Sequence, residues 1–396
     1  MVLLAPERPS GVLTLHAPIE IIGDSQFTSA NGVVSGKGTS VEPYLIAGWE
    51  ILAPPGVTAV RMSGTTRAVE VRDCKLVSDG APALMLSGSR NVQMVGLDIS
   101  GGVPAVSVSG SDSISVRDST VASPVRGARF DLNLTSNVTV DRNRFQAVGL
   151  AVHGGTGVLV TRNHLSGAST AIELGDGSAA VVRNLIEGAG VGVLLQSGAH
   201  RIESNFFERG QTSVQGKGGA GSLVLENTFD RTQGSAVVLG TGIASVEVAG
   251  NDFLGPRGAA PWAQDSSPGS KFSNSTTGNY WSDWTTPDSN GDGIVDSPRS
   301  IKGSANSSDL LPRVSAFGNW DPSPPSAPVI VGLEEIDLNG TAAVSLRWDL
   351  PASDLPLTQY VVMRGRNASS LVPLAALPAS QGAEFVDSGV FRNVTY

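Results

Sequence analysis

Cysteine, lysine and aromatic residues are scarce in this chain. The only cysteine is Cys74, so no intrachain disulfide can form. That excludes a cysteine-stapled scaffold, though not export. Lysine occurs five times in 396 residues, charged residues make up 16%, and acidic side chains outnumber basic ones by 36 to 27, a net charge of −9. A chain with that balance lacks the basic face that nucleic acid or an anionic membrane requires. No apolar run is long enough to cross a bilayer, and the opening "MVLLAP" is too short and too uncharged for a signal peptide. The chain reads as a fragment of a longer protein, so a missing leader carries little information about location.

What is present points to strands. Glycine is high at 48, proline is 23 and hydrophobic residues are 40%. Gly, Ser, Val, Asn and Thr together favour many short strands joined by turns. The length allows a large core and more than one domain.

One phrase repeats: aliphatic, any residue, aliphatic, two residues, then Asn and a bulky apolar residue. It occurs as "VTVDRNRF" (138–145), "VLVTRNHL" (158–165), "AVVRNLI" (180–186), "RIESNFF" (201–207), "LVLENTF" (223–229) and "VEVAGNDF" (246–253). The asparagines are Asn143, Asn163, Asn184, Asn205, Asn227 and Asn251, at steps of 20, 21, 21, 22 and 24. Cys74, Leu97 and Ser119 fill the slot in earlier, degenerate copies. A second phrase, small-aliphatic-x-aliphatic, precedes each, as in "PALML" (82–86) and "TAIEL" (170–174). Two alternating stretches in about 22 residues mean short strands. The L-x-x-L-x-L signature of a leucine-rich repeat is absent. The period fits an all-β, right-handed parallel β-helix whose coils stack at about 4.8 Å. The asparagines should then form a ladder of side-chain amides at a sharp bend. Such a solenoid needs caps. Residues 14–51 and 262–320 break the repeat and carry Trp49 at one end and Trp262, Trp281, Trp284 and Trp320 at the other.

The opening "HAPIEIIGDSQFTSANGVVSGKGTSVEPYLIAGWEI" (16–51) and the block "GNYWSDWTTPDSNGDGIVDSPRSI" (278–301) bracket these coils. Together they resemble the caps of archaeal surface β-helix proteins, the NosD-like or periplasmic copper-binding type. Glu42 stands where that family more often has Asp. The resemblance implies an exported, non-enzymatic β-helix. Copper is not expected, because His16, His153, His164 and His200 are scattered and no CxxC or HxxxH pattern occurs. After the proline-rich "DPSPPSAP" (321–328), the remaining residues resemble a fibronectin type III domain. Trp348 matches its second strand, and Tyr360 and Val362 its third. Only part of such a domain fits before Tyr396, so an incomplete sandwich is expected. The expected organisation is an N-terminal cap and first strands (1–55), coils (56–260), a C-terminal cap (261–320), the linker, and a partial sandwich (329–396).

Within the C-terminal cap, "DSNGDGIVD" has calcium-loop spacing: Asp288, Asn290 and Asp292 as side-chain ligands, the Ile294 carbonyl, and Asp296 directly or through water. Arg299 stands where an EF-hand has its bidentate Glu. A structural Ca2+ site of about 0.1–1 mM affinity is the expectation. The alternative is an Asx-rich turn held by its own hydrogen bonds.

Chemistry on a β-helix sits on outward columns. Aligning the second phrase gives Met85, Ser107, Asp131, His153, Glu173, Leu194, Gln215 and Val238 in one column. Asp131, His153 and Glu173 would then be neighbours on three successive coils, able to bind a metal or act as acid and base. A polar, solvated face is the plainer reading. Arg142, Arg162 and Arg183 each precede a ladder Asn and could form a basic stripe. The adjacent-Asp and GHG signatures of polygalacturonases are absent. Sequons at Asn133, Asn137, Asn274, Asn306, Asn339, Asn367 and Asn393 point outward from the cell. The expected function is extracellular or cell-surface binding, adhesion or structure, toward glycans, envelope components or other copies of the chain. A carbohydrate-active enzyme acting on an acidic polysaccharide is the alternative, and a metal-delivery accessory protein a third.

Overall fold

The computed structural model describes residues 13–255, 260–319, 328–338, 341–349, 359–364, 372–378, 384–388 and 390. Trp320, most of the proline-rich linker, Asn339, Asn367, Asn393 and Tyr396 lie outside these. Two compact units divide the chain, Leu13–Pro322 and a second that includes Ser323–Tyr396.

The first unit is a solenoid of about ten coils with three columns of parallel strands. One coil runs Thr170–Leu174, Ala179–Val182 and Leu185–Glu187. Its strands pair with the next coil as Ile172 with Val193, Val181 with Ile202, and Ile186 with Phe207. Alternation sends Ile172 and Leu174 inward, where they are fully buried, and leaves Glu173 facing out. The third column fills the C-terminal half of the core with an aromatic stack. Phe207, Phe229, Phe253 and Trp281 follow one another at ring-centroid distances of 5.2, 4.8 and 4.0 Å.

The asparagine ladder forms as expected and runs further than the repeat phrase shows. Asn143 Oδ1 accepts from Ser119 N, and from Asn163 onward each buried Oδ1 accepts from the backbone N–H and the Nδ2 of the asparagine one coil earlier. For Asn184 these are Asn163 N and Asn163 Nδ2, both at 2.9 Å. Asn184 Nδ2 in turn donates to Asn205 Oδ1 at 2.9 Å and to the Val160 carbonyl at 2.9 Å. The series extends to Asn279, whose Oδ1 accepts from Asn251, and it ends on Asp309 Oδ2, 2.8 Å from Asn279 N. From amide to amide the ladder runs in one direction, so its last acceptor need not donate onward, which suits a carboxylate. Trp281 Nε1 donates to the same Asp309 oxygen at 2.8 Å. Burial raises the Asp309 pKa, while the Trp281, Asn279 and Leu311 donors pull it back down.

The bend before each ladder position up to Asn251 uses left-handed backbone. Asp73, Asp118, Arg142, Arg162, Arg183, Ser204 and Glu226 all have φ between 51° and 55°, and Gly96 and Gly250 occupy the same place in their coils. Arg142 and Arg162 do not form a free basic stripe. Their guanidiniums pair with carboxylates of the preceding coil, Arg142 with Asp118 at 2.8 Å and Arg162 with Asp141 at 2.6 Å. A side chain at this bend points along the outer surface, where an acidic neighbour one coil away is within reach.

Both ends are capped. Phe27 stacks on Tyr44 at 4.7 Å, and Trp49 Nε1 donates to the Gly32 carbonyl. At the other end the buried Asp252 carboxylate accepts from the amides of Phe317, Gly318 and Asn319. The second unit has an antiparallel sheet of Ile330–Leu338, Thr341–Trp348 and Glu384–Asp387, and a pair Gln359–Arg364 with Val372–Pro378. Trp348, Tyr360 and Val362 form its core cluster.

Two measurements test this account. Asn184→Ala removes a rung and strands the Asn163 donors, so it should lower stability by about 3 kcal/mol in urea denaturation. An unchanged midpoint would remove the ladder from the stability argument. His200 is buried and neutral: its Nδ1 accepts from the Ala179 amide at 3.1 Å, and Nε2 donates to the Gly175 and Ser197 carbonyls. Burial lowers its pKa below 6.5, partly offset by those carbonyls. A depressed pKa contributes stability that is present above the unfolded value and lost as pH falls through the folded one. Melting temperature should therefore drop as pH falls below 6.5, and His200→Gln should shallow that drop.

Candidate functional site

The outer face of the first strand column carries the polar cluster. Met85, Ser107 and Asp131 pair in succession, as do Glu173, Leu194, Gln215 and Val238. His153 is not in this column. Asp131 pairs with Ala151, and Ala151 with Glu173. His153 pairs with Asn133, two residues further along the strand. The step from Asp131 to its true neighbour is therefore 20 residues, the same as the ladder step from Asn143 to Asn163. Alignment of the second phrase overshoots this step by two residues, from Ala151 to His153.

The corrected register changes the chemistry. Asp131 and Glu173 lie two coils apart, with the buried Ala151 between them. Arg129, absent from the sequence-level set, joins them. Its Nε lies 3.3 Å from Asp131 Oδ1, and its Nη1 lies 3.8 Å from Glu173 Oε2. The guanidinium thus reaches from its own coil past Gly149, its partner on the next, to the coil beyond. Glu173 also accepts from Gln196 Nε2 at 3.4 Å. Burial raises the Asp131 pKa, Arg129 and then His153 oppose this, and Glu173 adds to it. Arg129 was missed because an arginine two residues from Asp131 reads as an ordinary surface charge. Only stacking shows that it spans two carboxylates.

The calcium-loop residues share one exposed loop closed by its own amides. Asp288 Oδ1 accepts from Gly291 N at 2.8 Å, and Asp288 Oδ2 from Gly293 N at 3.1 Å. Asn290 Oδ1 accepts from Asp292 N, Asp292 Oδ1 from Ile294 N, and Asp296 Oδ2 from Ser289 N. Hydrogen bonds from Ser289 lower the Asp296 pKa. The donor set is the oxygen-rich kind that calcium takes. Among the described residues, however, no three His, Cys, Asp or Glu side chains are grouped to hold a metal. The hydrogen bonds within the loop follow the pattern of an Asx-rich turn.

Comparison with known proteins decides the architecture. The family model described as "Right handed beta helix region" matches residues 58–207 and 133–277, which together cover more than half of the chain. The chain belongs to the right-handed β-helix region family. No curated protein matches this β-helix in sequence. Among solved structures it is similar to ORF18 of Geobacillus virus E2, at 8% identity and a TM-score of 0.28, over 93% of this chain and 75% of that one. A likeness of that size carries no argument about function. Among the described residues no helix of this β-helix protein is long and apolar enough to cross a membrane.

Arg129→Met removes the bridging charge. It should raise the Asp131 titration midpoint, followed by the side-chain carboxyl resonance in NMR. An unmoved midpoint would show that the guanidinium does not reach Asp131 in solution.

Proposed function

We propose that this β-helix is an extracellular or cell-surface protein that binds glycans or envelope components on the outer face of its first strand column. One observation carries the reading: Arg129 holds Asp131 and Glu173 together, so both carboxylates already have a cationic partner. Carboxylates held in that way are positioned to accept hydrogen bonds from hydroxyls, and a guanidinium beside them keeps donors to spare. Asn133, His153, Gln196 and Gln215 add polar groups to the same face. Fold alone would not choose, since right-handed β-helices serve both as surface proteins and as polysaccharide-degrading enzymes. The resemblance to archaeal surface β-helix proteins, the sequons and the fibronectin-like segment support the surface role.

The second reading is a glycoside hydrolase. It draws on the raised pKa of Asp131 and on the second carboxylate, Glu173, on the same face, the pair of acids that glycoside hydrolysis uses. Incubation with neutral and acidic polysaccharides, read for new reducing ends or unsaturated products, separates the two. Retention without product is the expected result. Turnover lost in Asp131→Asn or Glu173→Gln would establish the enzyme.

We further propose that the loop at Asp288, Asn290, Asp292, Ile294 and Asp296 takes Ca2+ weakly, exchanging some of its own amide bonds for the ion and tying the cap to the core. Low-millimolar calcium should raise the melting temperature of the wild type and leave Asp292→Ala unchanged. Equal melting in calcium and in chelator would rule the ion out.

A further inference from the structure

One coil departs from its neighbours at several positions at once. At the corner after the first strand, successive coils carry Gly64, Gly88, Gly110 and Gly154, with φ of 61°, 55°, 52° and 73°. The coil between Gly110 and Gly154 carries Leu134 there, at φ 50°. The equivalence follows from the residues just before, since Ser63, Ser87, Ser109, Asn133 and His153 pair in that order. Left-handed backbone is unfavourable for a bulky L side chain. Leu134 gains nothing by burial either, being 70% exposed. Its side chain leans over the next coil, where a Cβ on Gly154 would stand 2.8 Å from Leu134 Cδ2. The same strand holds Asp131 and Arg129, whose register partner on the next coil is Gly149. Strain and exposed apolar surface thus coincide with the ion-paired Asp131 on a single coil, and strain of this kind clusters at binding sites.

We propose that Leu134 is the apolar contact of the glycan-binding face and that the ligand is a neutral glycan; this rests on the glycan-binding reading above. A pyranose ring presents a C–H face and a rim of hydroxyls. Leu134 matches the first, and Asn133, His153 and the Arg129-linked carboxylates match the second. Two carboxylates against one guanidinium leave the cluster negative, on a chain of net charge −9, which disfavours a uronate.

The test uses the full chain, Leu134→Gly and Leu134→Asn, with immobilised β-glucan, mannan, galactan, pectate and alginate. Both substitutions suit left-handed backbone, so both variants should melt at or above the wild-type temperature. Wild type should be retained by a neutral polymer, and both variants should bind it about tenfold more weakly. Variants that bind as tightly as wild type would overturn the role of Leu134 and leave glycan binding standing. Variants that melt lower and bind more weakly would make Leu134 a structural residue and also overturn it. Retention of wild type by acidic polymers alone would overturn the neutral ligand. Retention by no polymer would overturn both this inference and the reading beneath it.

Discussion

A buried asparagine at the bend of each coil is the interaction on which this β-helix depends. Its amide accepts from the coil before and donates to the coil after, so each bend is tied to both of its neighbours. An unpaired amide in that position would cost more than the bond contributes when made. The bend also fixes register, because a slip of one residue would carry every inward side chain to the outside. The left-handed non-glycine residues ahead of most ladder positions are local strains that the ladder bonds outweigh.

A polar chain with a direction has an end to satisfy. Here the end is Asp309, which accepts from Asn279 and from the indole of Trp281. The same tryptophan closes the aromatic stack of the third column. The polar ladder and the apolar core therefore finish at one place, and the cap joins them. Asp252 does related work nearby by holding three successive amides of the segment that crosses back over the coils. These buried carboxylates hold the cap through neutral donors.

Stacking also builds the outer face. Positions 20 to 24 residues apart in the chain become neighbours at about 4.8 Å, so a coil can be altered outside while its inward pattern stays intact. The coil of Arg129, Asp131, Asn133 and Leu134 shows this. Phe130 and Leu132 between them remain fully buried and in register with Val106 and Val108.

The sequence by itself determined the solenoid, its period and the six asparagines of the ladder, because each coil repeats the same local demands. An aliphatic pair faces in, and an amide turns the bend. It did not reveal Asn279 as a further rung, since a 28-residue step and an altered flank hid it. Nor did it place His153, Arg129 and Leu134. Coil lengths vary between 20 and 24 residues, so alignment of one weak phrase can slip by two and exchange Ala151 for His153. Which charge faces which carboxylate, and which residue stands in a glycine's place, depends on the coil above and below. Only the stacked structure decides that, because those contacts join residues that are distant in the chain and share no local pattern.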